Sequence, residues 1–321
     1  VLRITALAGG VGGSRFLRGL LRAAPDEPIT VVGNTADDIT IHGLHVSPDL
    51  DTIMYTLGEG IDESQGWGRD SDSFAVADEL AAYGAEPTWF TLGDRDIATH
   101  LIRTRMLAQG YPLSTITETL CERWRPGVRL LPMTDGRVET HVVITGRDKS
   151  ETHTIHFQEW WVRLHAAVPA QRIIFQGVDQ AAPAPGVIDA IQNADVIVLP
   201  PSNPVVSIGP ILAVDGVRPA MSAARAPVVG LSPIIDGAAV RGMADAALRA
   251  IGVPTSAAAV AGLYADFLDG WLIDEADAQS VPAVEATGIR CRAIPLIMHD
   301  IDAAADMARA CLSLADEVSG R

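Results

Sequence analysis

The stretch Val1-Leu2-Arg3-Ile4-Thr5-Ala6-Leu7-Ala8-Gly9-Gly10-Val11-Gly12-Gly13-Ser14-Arg15-Phe16-Leu17-Arg18-Gly19-Leu20-Leu21 reads as a strand, a glycine-rich turn and a helix. Gly9, Gly10, Gly12 and Gly13 let main-chain N–H groups come close to an anion. The helix that follows points its positive dipole end at the same spot. A tight turn without a ligand is the plainer alternative, common for one or two glycines and less so for four. The spacing is not that of a P-loop, because no lysine follows, and it misses G-x-G-x-x-G, because Arg15 stands where the third glycine belongs. A nucleotide or phosphoester ligand is therefore expected, held neither as in a P-loop ATPase nor as in an ordinary NAD enzyme.

Apolar runs recur along the chain at Ile29-Thr30-Val31-Val32, Arg172-Ile173-Ile174-Phe175, Ala194 to Leu199, Pro227 to Leu231 and Cys291 to Ile297. They read as buried parallel strands, with helices between or after them such as Gly186 to Asn193 and Asp300 to Val318. Asp300 or Asp302 suits the N-cap of the last helix. The fold class expected is α/β: a Rossmann-like, doubly wound, mostly parallel sheet with ligands at the carboxyl ends of its strands. Residues 1–49, 128–236 and 269–321 form the expected core. Residues 50–127 and 237–268 are helical insertions that cap it. Within the core, His141 to Thr145 and Thr152 to Phe157 alternate like antiparallel strands. Trp89 to Asp96 reads as a short strand turning into a helix.

Composition narrows the class. The chain has 321 residues, 48% of them hydrophobic and 20% charged, as an ordinary globular protein does. No apolar run reaches the roughly 18–20 residues of a membrane span, and the first apolar stretch lacks signal-peptide grammar, so a cytoplasmic protein is expected. A net charge of −16 argues against nucleic acid as partner. Cys121, Cys291 and Cys311 are too scattered for a disulfide frame or zinc site and read as inert core thiols. Lys149 is the single lysine against many arginines, and alanine is abundant.

Three segments carry the chemistry. After the second strand come Gly33-Asn34-Thr35-Ala36-Asp37-Asp38 and then His45-Val46-Ser47-Pro48-Asp49-Leu50-Asp51-Thr52. Carboxylates this dense beside a phosphorylated ligand suggest a hard cation such as Mg2+ on one or two of them. Capping of the helix from Asp51 by Asp49 or Asp51 is the bland alternative. The loop Pro200-Pro201-Ser202-Asn203-Pro204-Val205-Val206-Ser207 is stiffened by prolines, and Ser202, Asn203 and Ser207 offer polar groups to a ligand. In the first insertion Trp67, Trp89 and Phe90 could stack on a flat ring while Arg95 neutralises a phosphate. The histidines show no metal-ligand spacing and read as structural or solvent-facing.

Together these stretches resemble one family, the 2-phospho-L-lactate transferases of coenzyme F420 biosynthesis. The resemblance runs nearly end to end, through the glycine run, Asn34 to Asp38, His42-Gly43-Leu44, Ser47 to Thr52, Trp89 to Asp94, Leu131 to Asp135, Pro201 to Pro204 and Ser232-Pro233-Ile234-Ile235. Ser14-Arg15 and Asp236-Gly237 depart from the family pattern. The resemblance implies a homodimer that uses Mg2+ to transfer a group from a guanosine diphospho compound to the deazaflavin FO, with GMP leaving. The arginine and alanine bias points to the actinobacterial type, in which enolpyruvyl-diphospho-guanosine yields dehydro coenzyme F420-0. Lactyl-diphospho-guanosine is the alternative donor. A non-enzymatic sugar-nucleotide binder of the gluconeogenesis-factor type is the alternative class.

It further implies roles for particular residues. Gly9, Gly10, Gly12, Gly13, Ser14 and Arg15 would hold the diphosphate, and Ser202, Asn203 and Ser207 the guanosine. Asp37, Asp49 and Asp51 would be catalytic and hold the metal. Asp51, Thr52, Trp89, Thr91 and Arg95 would hold the deazaflavin.

Overall fold

The computed structural model describes residues 1–146 and 151–320; Lys149 lies outside them. Seven strands form one parallel sheet: β1 (Ile4–Ala8), β2 (Ile29–Gly33), β3 (Arg129–Pro132), β4 (Val196–Leu199), β5 (Val228–Leu231), β6 (Gly270–Ile273) and β7 (Arg290–Ala293). Their order across the sheet is β7-β6-β5-β4-β1-β2-β3, all neighbours parallel. This is the Rossmann order with one strand added at the β6 edge, as the doubly wound expectation required. The chain leaves β1 toward β2 and β3, then returns to β4 on the other side. The strand order therefore reverses between β1 and β4, and their carboxyl ends open the crevice in which such sheets bind ligands.

The apolar runs are continuous because both faces of the sheet are covered. Ile4, Ala6, Val31, Val196 and Val198 pack on one face with Phe16, Leu17 and Leu20. Leu7, Val32, Ile197 and Leu199 pack on the other with Val205, Ile208 and Leu248. The first face is covered by α1 (Gly10–Ala23), α2 (Pro48–Leu57), α4 (Leu113–Trp124) and α5 (Ile301–Ser319), with α3 (Asp96–Ala108) outside α2. α1 and α5 come so close that a Cβ on Gly19 would lie 2.3 Å from the carbonyl carbon of Ala304. Asp300 is the N-cap of α5, its Oδ1 accepting from Ala303 N at 2.8 Å.

Three local expectations are corrected. Residues 172–175 do not enter the parallel sheet: Ala170–Gln176 pairs antiparallel with Glu139–Thr145, which also pairs with Thr152–His156. The Ile-Ile-Phe run is only half buried there, so apolarity alone misplaced it. The segment after Trp89 forms no strand before α3. Aspartates hold its end instead: Asp72 accepts from the main chain of Arg95 and Asp96, and Asp94 from that of Ala75 and Val76 at the start of a short helix, Ala75–Ala82. Finally, α1 begins at Gly10 rather than after the glycines, so Gly12 and Gly13 sit in its first turn.

Candidate active site

The start of α1 and the loop after β4 interlock. Ser202 Oγ accepts from Gly9 N at 3.2 Å and donates to Gly9 O at 2.8 Å. A Cβ on Gly12 would lie 2.6 Å from Pro201 O, and one on Gly13 2.4 Å from Ser202 Oγ. Two of these glycines thus serve loop-to-helix contact at least as much as room for an anion. Ser14 turns its hydroxyl onto Gly10 O at 2.9 Å, so neither it nor Gly13 reaches the cavity, in contrast to Gly9, Gly10, Gly12 and Arg15, which line it. Asn203 is an N-cap: its Oδ1 accepts from Val205 N and Val206 N at 3.0 and 3.2 Å. Ser202, Asn203 and Ser207 all line the same cavity.

The acidic segment divides into four different carboxylates. Ser47, not an aspartate, takes the N-cap position of α2, which puts Asp49 and Asp51 in its first turn. Asp49 accepts from Asn34 Nδ2 at 3.0 Å, while the same amide group donates to Val206 O at 3.1 Å. Asn34 thereby ties β2, α2 and the loop after β4 together, a role its place behind a strand did not reveal. Burial, opposed by the hydrogen bonds from Asn34 and Gly10, pushes the Asp49 carboxyl up to about 6. Asp37 is also buried, one of its oxygens has no partner, and desolvation with the nearby Asp49 charge raises its pKa well above the ordinary value. Asp38 turns away from the cavity, accepting from Ser47 Oγ at 2.7 Å with His45 Nε2 at 2.8 Å.

Asp51 is different again. Both its oxygens are taken by Arg103, with Nη1 at 3.0 Å from Oδ2 and Nη2 on Oδ1. His100 Nδ1 stands 3.2 Å from the same guanidinium and Nε2 3.2 Å from Asp96 Oδ2. Tyr55 donates to Asp96 at 2.6 Å. None of these four α2 and α3 partners was legible as a site residue, and His100, 1% exposed, is no surface histidine.

This sorting decides how well a divalent cation fits. Among the described residues no group of three His, Cys, Asp or Glu side chains is placed to hold a metal. Asp37 and Asp49 nevertheless interact as two buried carboxylates that line the cavity, and Asp37 Oδ1 has no hydrogen-bond partner among the described residues. Two carboxylates plus substrate phosphates and water are what Mg2+ commonly takes. Asp51, with its oxygens on Arg103, does not fit as a third ligand.

One cavity of about 1100 Å3 joins these parts. Gly10, Ser207, Asp37, Asp49, Asp51 and Thr52 line it, as do Trp67, Phe74, Trp89, Thr91 and Trp161. Trp161 was not foreseen. It lies on a five-residue π-helical turn, Glu159–Arg163, beside the buried Trp160. Arg95 is exposed and is not among the residues that line the cavity.

The fold and this cavity define a doubly wound α/β protein with a large site at its topological switch point. The chain belongs to the 2-phospho-L-lactate transferase CofD family, whose pattern matches residues 4–309. It is 64% identical over 318 residues to a phosphoenolpyruvate transferase of Streptomyces griseus, covering 99% of each chain. A phosphoenolpyruvate transferase of Thermobifida fusca is 60% identical over 329 residues, with all of both chains covered. A crystal structure of a upf0052 family protein from Bacillus halodurans superposes with a TM-score of 0.63 at 18% identity, covering 97% of this chain and 100% of that one, and shares the fold. Relatives of this identity favour the transferase over the regulatory binder. Among the described residues no helix is long and apolar enough to cross a membrane.

Proposed function

We propose that the protein transfers a phosphoenolpyruvyl group from enolpyruvyl-diphospho-guanosine to the deazaflavin FO, giving dehydro coenzyme F420-0 and GMP. The observation that carries this reading is the single cavity with an anion-friendly end, a carboxylate pair and an aromatic wall. At about 1100 Å3 it exceeds the roughly 300–1,000 Å3 typical of one small ligand, leaving room for donor and acceptor together. The full-length identity to proteins named phosphoenolpyruvate transferase supports phosphoenolpyruvyl as the group transferred.

In this reading the helix start at Gly10 to Gly12 orients the diphosphate, and the loop from Ser202 to Ser207 holds the guanosine. Trp67, Trp89 and Trp161 offer faces for the deazaflavin ring, with Thr52 and Thr91 beside it. The terminal hydroxyl of the ribityl chain attacks the phosphorus bearing the enolpyruvyl group. An O–P bond forms there as the bond to GMP breaks. Asp49, or Asp37 beside it, takes the hydroxyl proton. Asp37 and Asp49 would hold Mg2+, which when bound neutralises charge on the diphosphate. Positioning and charge neutralisation are the main demands of such a transfer. The homodimer implied by the resemblance belongs to this reading, with Leu101 and Ile102 of α3 as exposed apolar surface.

The test is direct. Purified protein with Mg2+, FO and the enolpyruvyl donor should release GMP and convert FO to a deazaflavin heavier by one phosphoenolpyruvyl group. The lactyl donor should react more slowly. Unmodified FO with both donors, read by mass spectrometry, would defeat the proposal.

A further inference from the structure

Two arginines, Arg15 and Arg241, stand together at the cavity, and among the described residues neither forms an ion pair with a carboxylate. Arg15 lies on α1, about 7 Å along the axis from Gly10 at 1.5 Å per residue. Arg241 comes from the segment after β5, near residues 237–243. Both line the cavity. Both are held by one main-chain segment: Arg15 Nη2 donates to Glu63 O at 3.3 Å, and Arg241 Nη2 donates to Gln65 O. Gly66 permits this approach, because at its φ of +79° a Cβ would lie 2.8 Å from Val11 Cγ1 and 3.2 Å from Arg241 Nη2. The nearby Glu63 carboxylate is engaged by Arg18.

Each guanidinium has five N–H donors and gives one to a carbonyl, so most remain free to face the cavity. Like charges held together repel, and an anion that joins them relieves the repulsion. Burial first, and then the Arg241 charge, lower the Arg15 pKa, against the Glu63 charge, which raises it.

We propose that Arg15 and Arg241 together form a carboxylate subsite that grips the acid group of the unit being transferred, with Arg241 as its specificity-determining member. The inference rests on the proposed function. The helix start at Gly10 takes the diphosphate, and the donor carries one further anion, the carboxylate on its enolpyruvyl unit. Two guanidiniums on a shared backbone support offer the planar, two-point contact that a carboxylate prefers. The clamp also joins the first insertion to the segment after β5, so filling it would draw those two elements over the donor.

Calorimetric titration of the whole protein with two probes tests this. GDP carries the diphosphate without the carboxylate, and enolpyruvyl-diphospho-guanosine carries both. In Arg241→Ala the affinity for the carboxylate-bearing donor should fall about 10- to 100-fold, the range of one charge-assisted contact, while GDP affinity stays within about 2-fold. Arg241→Lys should regain part of the loss, because a charge remains without the fork. Equal losses for both probes would place Arg241 on the diphosphate, and an unchanged donor affinity would remove it from the site; either result overturns the subsite alone. A wild-type protein that binds neither probe overturns the proposed function and the subsite with it.

Discussion

Asp51 and Arg103 form a buried two-point ion pair between α2 and α3, with side chains 7% and 2% exposed. The guanidinium keeps its proton because the Asp51 charge and hydrogen bonds outweigh the burial that works against it. The pair fixes the floor of the cavity where Tyr55, Asp96 and His100 converge. Asp51 is therefore held as part of a support, and the proposed chemistry falls to Asp37 and Asp49.

Removing one partner should be far worse than removing both. Arg103→Met would leave an uncompensated buried carboxylate, a loss of about 3–5 kcal/mol in urea unfolding. Arg103→Met with Asp51→Leu should recover much of that. An unfolding midpoint for Arg103→Met equal to wild type would show that the pair is not structural.

The carboxylate pair gives a pH signature. The folded-state pKa of Asp49, about 6, lies above its unfolded value, so the folded state binds the extra proton. Its contribution to stability is full below about pH 4 and is lost as pH rises through about 6. Asp49→Asn should flatten that part of the profile. Mg2+ should raise Tm at pH 8, where Asp49 is ionised, and do less at pH 4.5, where Asp49 holds its proton. Equal Mg2+ effects in wild type and Asp37→Asn would argue against the pair as the metal site.

Activity should follow the same residues. Excess EDTA should abolish transfer and added Mg2+ restore it, and Asp37→Asn or Asp49→Asn should lower kcat by at least about 100-fold. A variant of either that keeps wild-type turnover would remove that carboxylate from the mechanism.

Asn203 should act mainly through its cap. Asn203→Ala removes the acceptor for Val205 N and Val206 N, a loss of about 0.5–2 kcal/mol, and should loosen the loop enough to weaken GDP binding. Asn203→Asp keeps the cap. Recovery of GDP affinity in Asn203→Asp would assign the residue to loop support, whereas equal losses in both would assign its amide to the nucleoside.

Gly12→Val should lower stability as well as GDP affinity, since its side chain meets the Pro201 carbonyl rather than open space. An unchanged Tm with weakened GDP binding would mean that the glycine serves the ligand alone.

The doubly wound fold was legible because burial on both faces writes itself locally, as unbroken runs such as Ile29 to Val32 and Val196 to Leu199. The glycines after β1 and the carboxylates after β2 were likewise legible, since a glycine-rich turn and an acidic segment are short stretches of chain. What each of those residues does was not. Asp49 and Asp51 stand two apart in sequence, yet one meets Asn34 and the cavity while the other meets Arg103, 52 residues away. Ser202 closes on Gly9 from 193 residues away, which makes its hydroxyl a support of the loop. The run at Ile173 and Ile174 went to the wrong sheet for the same reason: strand pairing is a long-range choice that apolarity alone does not encode. Local sequence determined which elements exist and where carboxylates and glycines gather. The tertiary structure decided which side chains are neutralised, which are left facing the cavity and which arginines share its rim, because partners and desolvation are set only once distant segments meet.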